Sequence, residues 1–459
     1  MKLKYLSIFG LFLIIKLGFH SQIQAQHIAR IRFEDDFSYL KSDTTTKSWD
    51  ERLKYMQISK DLNLSLGGEL REQYQNYTHA NFGQIPASFT EESPQQLMHR
   101  IMVHADLRFK NSMRLFAQVN NTARFLNPNP IVSQVDQNLF EVHQLFVEFD
   151  LWKKGRLRFG KQEMLFGQER VIASREGPNT RQNFIGLRIN NQFLRGQLNT
   201  FVVRPTQMHP GAFDDELANE VFAGTYWVRP RVLKGLNLEA YYLYLESSQR
   251  AYLFNKGLEK RHTVGLHLYS PAQFINYDVE LAHQWGQFNS LDISAWMWVW
   301  DFNVRFLPNV FMGFSGNYVP GDHTSSDQEL NTFNTLFARP PFGLTVALNI
   351  TNTLNWSPYI RYVLGAKWLA TARASFVQRV DVADGIYSPN MTMIRPLDNL
   401  SASIQNGICD IYAMDVNYFP NQHYSCQIEL GYCQAGTYLK ETGSGKDVIY
   451  FAIRNAIKF

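Results

Sequence analysis

The sequence predicts an all-β protein: a transmembrane, antiparallel, up-and-down β-barrel of about 18 strands, with short periplasmic turns and long extracellular loops. Three observations predict it. The last stretch, Val448 to Phe459, alternates at period 2. Ile449, Phe451, Ile453 and Ile457 share one face with Phe459, broken by Asn455, while Tyr450, Ala452, Arg454, Ala456 and Lys458 share the other. Such a strand turns hydrocarbon to lipid and polar groups to a lumen, and closes the chain on an aromatic residue. Second, beyond the leader no run of about 18 apolar residues exists, which excludes a transmembrane helix. Yet 14% of residues are Phe, Trp or Tyr, which fits a wall of which only alternate residues touch lipid. Third, the alternation recurs along the chain, with short turns and long loops taking turns between the runs.

The chain begins with Lys2 and Lys4, an apolar run from Leu6 to Ile15, and Ile23-Gln24-Ala25. This is the pattern of a secretory signal peptide, residues 1–25, cut after Ala25. Lys2, Lys4 and Lys16 leave with it and no acid does, so 45 basic residues become 42 against 41 acidic ones. That near-neutral balance names no partner and gives no reason to expect nucleic acid. Three cysteines, Cys409, Cys426 and Cys433, carry no metal-site spacing. Cys409 and Cys433 fall where neighbouring strands would bring them near, although disulfide geometry is narrow.

Residues 26–60 form a polar, irregular periplasmic lead-in with Glu34-Asp35-Asp36 and an amphipathic Trp49 to Tyr55, expected to be loosely ordered or else to plug or brace the periplasmic side. The barrel, 61–459, opens where Leu62, Leu64, Leu66 and Leu70 alternate with Asn63, Ser65, Gly67, Glu69, Arg71 and Gln73. Ile101, Val103, Ala105, Leu107 and Phe109 then oppose Arg100, His104, Asp106 and Arg108. After a tight turn at Lys110-Asn111-Ser112, Met113, Leu115, Ala117 and Val119 oppose Arg114, Gln118 and Asn120. Leu145, Val147, Phe149 and Leu151 oppose Gln144, Glu148 and Asp150, and a strand follows from Arg156. Later, Asn237, Glu239 and Tyr241 face inward, as do Asn276, Asp278, Glu280 and Gln284, then Asp301, Asn303 and Arg305. Trp296, Trp298, Trp300 and Phe302 read as lipid-facing, near the headgroup girdle. Thr371, Arg373 and Ser375, then Ala413, Asp415 and Asn417, then Gln427, Glu429 and Gly431 continue the inward face. Residues 343–365 are irregular at Asn355-Trp356-Ser357-Pro358.

A hydrolase drawn from His99, His104, Asp106 and Ser112 fails, because His99 and His104 fall on opposite phases and Ser112 lies in a turn. No P-loop, GxSxG or HExxH pattern occurs, so the chain is not expected to be an enzyme. The wall is more informative. Strands up to Asn190 bring Arg71, Arg100, Arg108, Arg114, Arg156, Arg158 and Arg188 inward, and later ones bring Glu239, Asp278, Glu280, Asp301, Asp415 and Glu429. A row of guanidinium forks binds carboxylate or phosphate groups; alternatively, arginine and acid pair across the wall and stiffen it. Asp214 and Asp215 after Phe213, and Asp322 and Asp327 in a later loop, are expected to fold inward and narrow the pore.

The runs GGELREQY (Gly67 to Tyr74), HADLRF (His104 to Phe109), FGKQEMLFGQERVIASREGPNTRQNFIGLR (Phe159 to Arg188), FDD and GDHTSSDQELNTFNTLF (Gly321 to Phe337) resemble the alginate-export family of outer-membrane porins, in its Bacteroidota-type form. The resemblance covers almost the whole mature chain, and its specific part runs from Gly160 to Arg188. It implies a monomeric 18-stranded barrel in a Gram-negative outer membrane, whose arginine-lined lumen passes an anionic polysaccharide by passive diffusion, with no cofactor. Its carry-over falls on Arg158, Gln162, Arg170, Arg175, Arg181 and Arg188. Asn183-Phe184-Ile185-Gly186 stands where the family usually has an aspartate-bearing FDG. The expected partners are the lipid bilayer and lipopolysaccharide, the outer-membrane assembly machinery, which would read Phe459, and an anionic saccharide, with Arg454 extending the arginine lane. A second reading is a plugged barrel that acts as a receptor or adhesin through its loops; a third is a soluble secreted β-protein.

Overall fold

The computed structural model describes residues 28–41, 48–85, 90–110, 112–129, 132–252, 255–270, 274–324, 327–343, 345–395 and 403–459. The expected signal peptide and Asn111 of the first turn lie outside them. Eighteen strands pair antiparallel with their neighbours in chain order. They are β1 (Leu62–Thr78), β2 (Gln95–Phe109), β3 (Met113–Phe125), β4 (Asn138–Trp152), β5 (Gly155–Gln162) and β6 (Phe184–Phe193). Next come β7 (Gly196–Gln207), β8 (Glu220–Leu233), β9 (Leu236–Tyr252), β10 (Asn255–Tyr269), β11 (Ile275–Phe288) and β12 (Leu291–Leu307). The wall ends with β13 (Val310–Val319), β14 (Thr353–Leu364), β15 (Trp368–Arg379), β16 (Gly407–Tyr418), β17 (Tyr424–Ala435) and β18 (Val448–Lys458).

β18 returns to β1, from Glu69 opposite Lys458 to Thr78 opposite Ile449, so no edge is left unpaired. Three short strands decorate the wall: Met56–Ser59 pairs with β1, Asp215–Glu216 with β7, and Glu329–Leu330 runs parallel to β12. No helix of the described residues is long and apolar enough to cross a membrane.

The pleat explains the two faces. Along β2, Ile101 and Val103 point outward and are exposed, whereas Arg100, His104 and Asp106 are buried within. Leu115 and Val119 on β3, Leu145 and Phe149 on β4, and Ile449 and Ile457 on β18 extend the same outward apolar band. Trp296 and Trp298 stand exposed on it, but Trp300 is only 8% exposed. The reason is local: Trp300 lies opposite Gly316, whose missing side chain lets the indole settle against the wall beside Trp356, ring centroids 5.5 Å apart.

The irregular stretch resolves into a loop ending at Asn352 and a full strand from Thr353, with Pro358 inside it. β14 pairs with β15 on both sides of Pro358, at Trp356 opposite Phe376 and Tyr359 opposite Arg373.

The barrel is filled. Loop 163–183 and the described part of loop 320–352 turn inward, and Met164, Phe166, Ile172, Phe333, Leu336 and Phe337 meet Phe184, Phe201, Phe222, Leu243, Leu245 and Met297 from the wall in one apolar cluster. Each buried apolar side chain of this size stabilises by about 1.5–3 kcal/mol, enough to hold a loop in the lumen. Within the described part of the lead-in, Ile31 and Phe33 are buried against Phe116 and Phe146 at the short-turn end. The cysteines are free; Cys409 lies opposite Ala435 and Cys433 opposite Ile411, diagonal neighbours across β16 and β17.

Candidate functional site

The lumen carries the charged side chains, and most of them are already engaged. Near the seam, β1, β2 and β18 grip loop 163–183. Arg71 donates to the Glu176 carbonyl at 2.8 Å, the Pro178 carbonyl at 2.9 Å and Asn179 Oδ1 at 3.1 Å. Arg100 bonds Glu69 Oε1 through Nε at 3.0 Å and Nη2 at 2.5 Å, and also reaches Glu176. Arg181, wholly buried, pairs with Glu176 and stands 3.6 Å from both Glu69 and Glu163. Arg454 donates to Gln73, Gln427 and the Gly177 carbonyl, and Lys458 lies 3.8 Å from Glu69. These arginines fasten a loop. A buried carboxylate among this many guanidinium groups retains its charge.

A second group lies at the short-turn mouth. Arg114 holds Asp106 at 2.7 Å and the Phe33 carbonyl at 2.7 Å; Arg108 holds Asp106 and the Asp35 carbonyl, each at 3.0 Å. Arg158 binds Glu148 Oε2 through Nε at 3.0 Å and Nη2 at 2.7 Å, with its guanidinium between the rings of Phe33, at 3.9 Å, and Phe146, at 4.2 Å. Its Nη1 is buried without a hydrogen-bond partner among the described residues. Arg156 reaches Glu148 and Asp150 from an exposed position on the rim. Among the described residues Arg188 bonds Asn199 Oδ1 alone, at 3.1 and 2.8 Å, and its guanidinium lies over the Phe166 ring at 5.1 Å.

The acids of the later strands form a third group. Tyr226 donates to Glu239 at 2.5 Å and Tyr241 to Glu280 at 2.7 Å. His267 stands 3.1 Å from Glu239 and 3.0 Å from Asp278. Arg170 of the inward loop completes the group at 2.6 Å from Asp278 and 3.0 Å from Glu280. The acidic side of the lumen therefore anchors the other end of the same loop. Arg175 is held by the Ala338 carbonyl at 3.0 Å and Asn390 at 2.6 Å, and Gln162 is buried with both amide atoms unpartnered.

The expected acidic constriction is not built. Asp215 and Asp327 are exposed on the long-loop rim. Asp214 accepts from Asn138 and from the His209 backbone, and buried Asp322 accepts from the Asn331 backbone, so both brace loops. What narrows the lumen is the hydrophobic packing of loops 163–183 and 320–352, whose apolar residues match an inward face that the wall turns apolar at Phe201, Val203, Leu243 and Leu245.

The opposite wall, β12 to β15, is where cations remain available. Arg361 and Arg373 flank the Tyr359 ring at 5.4 and 5.2 Å, and the Nε of each is buried without a hydrogen-bond partner. Among the described residues neither has an acid within ion-pair distance, and Arg305 nearby is exposed against Phe311. Tyr359 donates to Asp301 at 2.7 Å. A cavity of about 150 Å³ beside them is lined by Arg170, Asp301, Asn317, Arg339, Ser357 and Arg373. Tyr359 and Arg361 escaped the sequence reading because Pro358 masked the strand; the odd-numbered phase Asn355, Ser357, Tyr359, Arg361 was the available signal.

Comparisons with known proteins agree with this architecture. The sequence matches the alginate export family profile over residues 62–448. No curated relative matches it. The fold is similar to the outer membrane protein OprD of Pseudomonas aeruginosa, at 12% identity over 86% of this chain and 94% of that one, TM-score 0.58. A BenF-like porin from Pseudomonas fluorescens Pf-5 aligns at 11% identity over 86% and 98%, TM-score 0.59. OccK2 (OpdF) of Pseudomonas aeruginosa, solved in complex with glucuronate, aligns at 9% identity over 86% and 98%, TM-score 0.59.

Proposed function

We propose, from the premise that the chain belongs to the alginate export family, that its lumen passes anionic sugar-acid or polysaccharide solutes by diffusion along an arginine-bearing wall. The protein is a porin-type channel barrel of a Gram-negative outer membrane, and its family and fold are those of transport proteins.

The Arg361–Tyr359–Arg373 group supports an anionic solute: two guanidinium groups flank one ring, each with an Nε that has no hydrogen-bond partner among the described residues. An aromatic face suits the apolar side of a pyranose, and a free fork suits its carboxylate. Arg188 adds an anion contact outside any ion pair, while Arg71, Arg100, Arg114, Arg170 and Arg181 act as struts for the loop and lead-in. Lipopolysaccharide around the barrel, the assembly machinery and a monomeric state complete the proposed setting. The filled lumen favours one further reading, a barrel that binds at its loops and does not conduct.

Planar-bilayer recording separates the two. Discrete channels with anion preference are expected, and Arg361→Glu with Arg373→Glu should move the reversal potential toward cations. Unchanged selectivity in that double variant would remove the lane, and the absence of conductance in the unaltered protein would favour the receptor.

A further inference from the structure

The outer face of the wall is grooved between β6 and β12. Leu194, Leu198, Trp227, Val264, Leu266 and Trp296 stand around a depression of about 610 Å³, with the small side chains of Thr225 and Ala240 on its floor. Ala240 lies opposite Trp227 on one side and Leu266 on the other, so a methyl group separates two large side chains. The groove reaches the short-turn rim at Leu194, where Trp227 is pinned by the hydrogen bond from its Nε1 to the Phe193 carbonyl, at 2.9 Å.

The rim beside this opening is cationic. Leu194 and Arg195 form the two-residue turn between β6 and β7, with Phe193 opposite Gly196. Both have positive φ, 47° and 61°, in a turn that Asn-Gly would adopt with less strain. The chain instead keeps there a leucine that is 63% exposed and an exposed arginine. On β8 the register slips between Arg229 and Leu233, with Arg231 at φ 53°, and such bulges re-aim side chains. Arg229 follows Trp227 on the same outward face, and Arg231 and Lys234 are exposed at the end of the strand and in the turn after it. Among the described residues none of these four cations has a carboxylate within ion-pair distance. The neighbouring acids are used elsewhere: Glu216 and Glu220 pair with Arg204 and Arg250 at the long-loop end, while Glu239 and Asp278 face the lumen with Tyr226 and Arg170.

We infer that this corner of the rim binds an anionic phospholipid of the periplasmic leaflet, with its phosphate held by Arg195, Arg229, Arg231 and Lys234 and an acyl chain in the groove. Charge and position both select that occupant. Unpaired cations at headgroup depth attract anionic lipid, an indole suits the boundary, and the groove runs from them into hydrocarbon. Lipopolysaccharide would meet the long-loop rim, at the other end of the strands. The site lies outside the lumen and does not depend on which solute the channel passes.

Native mass spectrometry of the full mature protein in detergent tests this, with phosphatidylglycerol and phosphatidylcholine of the same chains as probes. Phosphatidylglycerol should be retained preferentially, and Arg229→Gln/Arg231→Gln should lower its affinity by about tenfold. Ala240→Leu, which fills the groove floor, should weaken both lipids. Leu194→Asn/Arg195→Gly installs a turn that folds at least as readily, so its loss of part of the preference cannot be assigned to misfolding. Equal retention of the two lipids, or a preference that survives all three variants, overturns the inference. Displacement of phosphatidylglycerol by an equal concentration of inorganic phosphate would assign the cations to a free anion, and a dimer that excludes lipid would assign the groove to a second chain; either overturns it. Anion selectivity in bilayers should be the same in Arg229→Gln/Arg231→Gln as in the unaltered protein, and a change there would place these arginines on the solute path instead.

Discussion

At the scale of single residues, the lumen sorts its carboxyl groups by neighbour. Burial pushes the Glu176 carboxyl up, but Arg100, Arg181 and Arg71 together hold it well below the ordinary carboxylate range. A depressed acid contributes stability above its unfolded value and loses it only as pH falls through the folded one, so this anchor of loop 163–183 persists into strong acid. Asp322 behaves in the opposite sense. Burial raises it to about 6, Asp384 and Asp327 add to the rise, and the backbone bond from Asn331 opposes it. A raised acid contributes stability that is full below the unfolded value, about 4, and lost as pH rises through about 6. His323, raised by its bond to Asp381, loses its contribution in the same direction, from its ordinary value near 6.5 upward. Loop 320–352 should therefore show weaker protection of its amide hydrogens, relative to their intrinsic base-catalysed exchange, at pH 7.5 than at pH 4.5. Asp322→Asn should remove most of that difference, and a pH response untouched by the substitution would show that the carboxyl is not its source.

Among the elements, the seam between β1 and β18 depends on a residue outside both. Phe459 exchanges backbone bonds with Gly68 at 3.0 Å each, and its ring lies against Gly68, where an added Cβ would sit 2.8 Å from ring atoms. Arg32 then spans the seam with one nitrogen on each strand and a third on Asp35 at 2.9 Å. Hydrogen bonds from a charged donor contribute about 1.5–3 kcal/mol each, so Arg32→Ala should weaken the seam by roughly 3 kcal/mol. The reading is a lower temperature for loss of the folded band on heated gels, with β content unchanged beforehand. Arg32→Lys should not restore it, since an ammonium cannot span both carbonyls in a fork; full rescue by lysine would reduce the contact to simple charge. The strand phases were legible in the sequence because each outward run, such as Ile101 and Val103, repeats every second residue. The seam clasp was not legible, since Arg32 and Phe459 lie 427 positions apart. Apolar Phe201, Leu243 and Leu245 on the inward face had the same fault: what covers them comes from distant loops.

For the molecule as a whole, the arginine lane expected from sequence is present in composition but largely spent on internal partners. Period 2 tells which way Arg71 and Arg100 point. It does not tell that loop 163–183 waits there with Glu176 and the carbonyls of Pro178 and Asn179. This makes an unusual expectation for loop truncation. Cutting an inward loop from a barrel ordinarily widens the pore and dilutes its selectivity, because wall charges are then screened by more water. Here the truncation also releases donors. Replacing residues 174–182 by a short Gly-Ser link removes every loop partner of Arg71, leaves Arg454 only its two glutamines, and strips Glu176 from Arg100, which keeps Glu69. Arg175 and Arg181 leave with the segment, but Arg175 is held by the Ala338 carbonyl and Asn390, and Arg181 faces buried acids rather than the pore. Single-channel conductance should rise severalfold while anion preference rises with it, and Arg71→Gln in the truncated protein should bring that preference back down. A wider pore with weaker anion preference would mean that the seam arginines collapse onto Glu69 and the neighbouring glutamines when the loop is gone, and do not face the lumen as free charge.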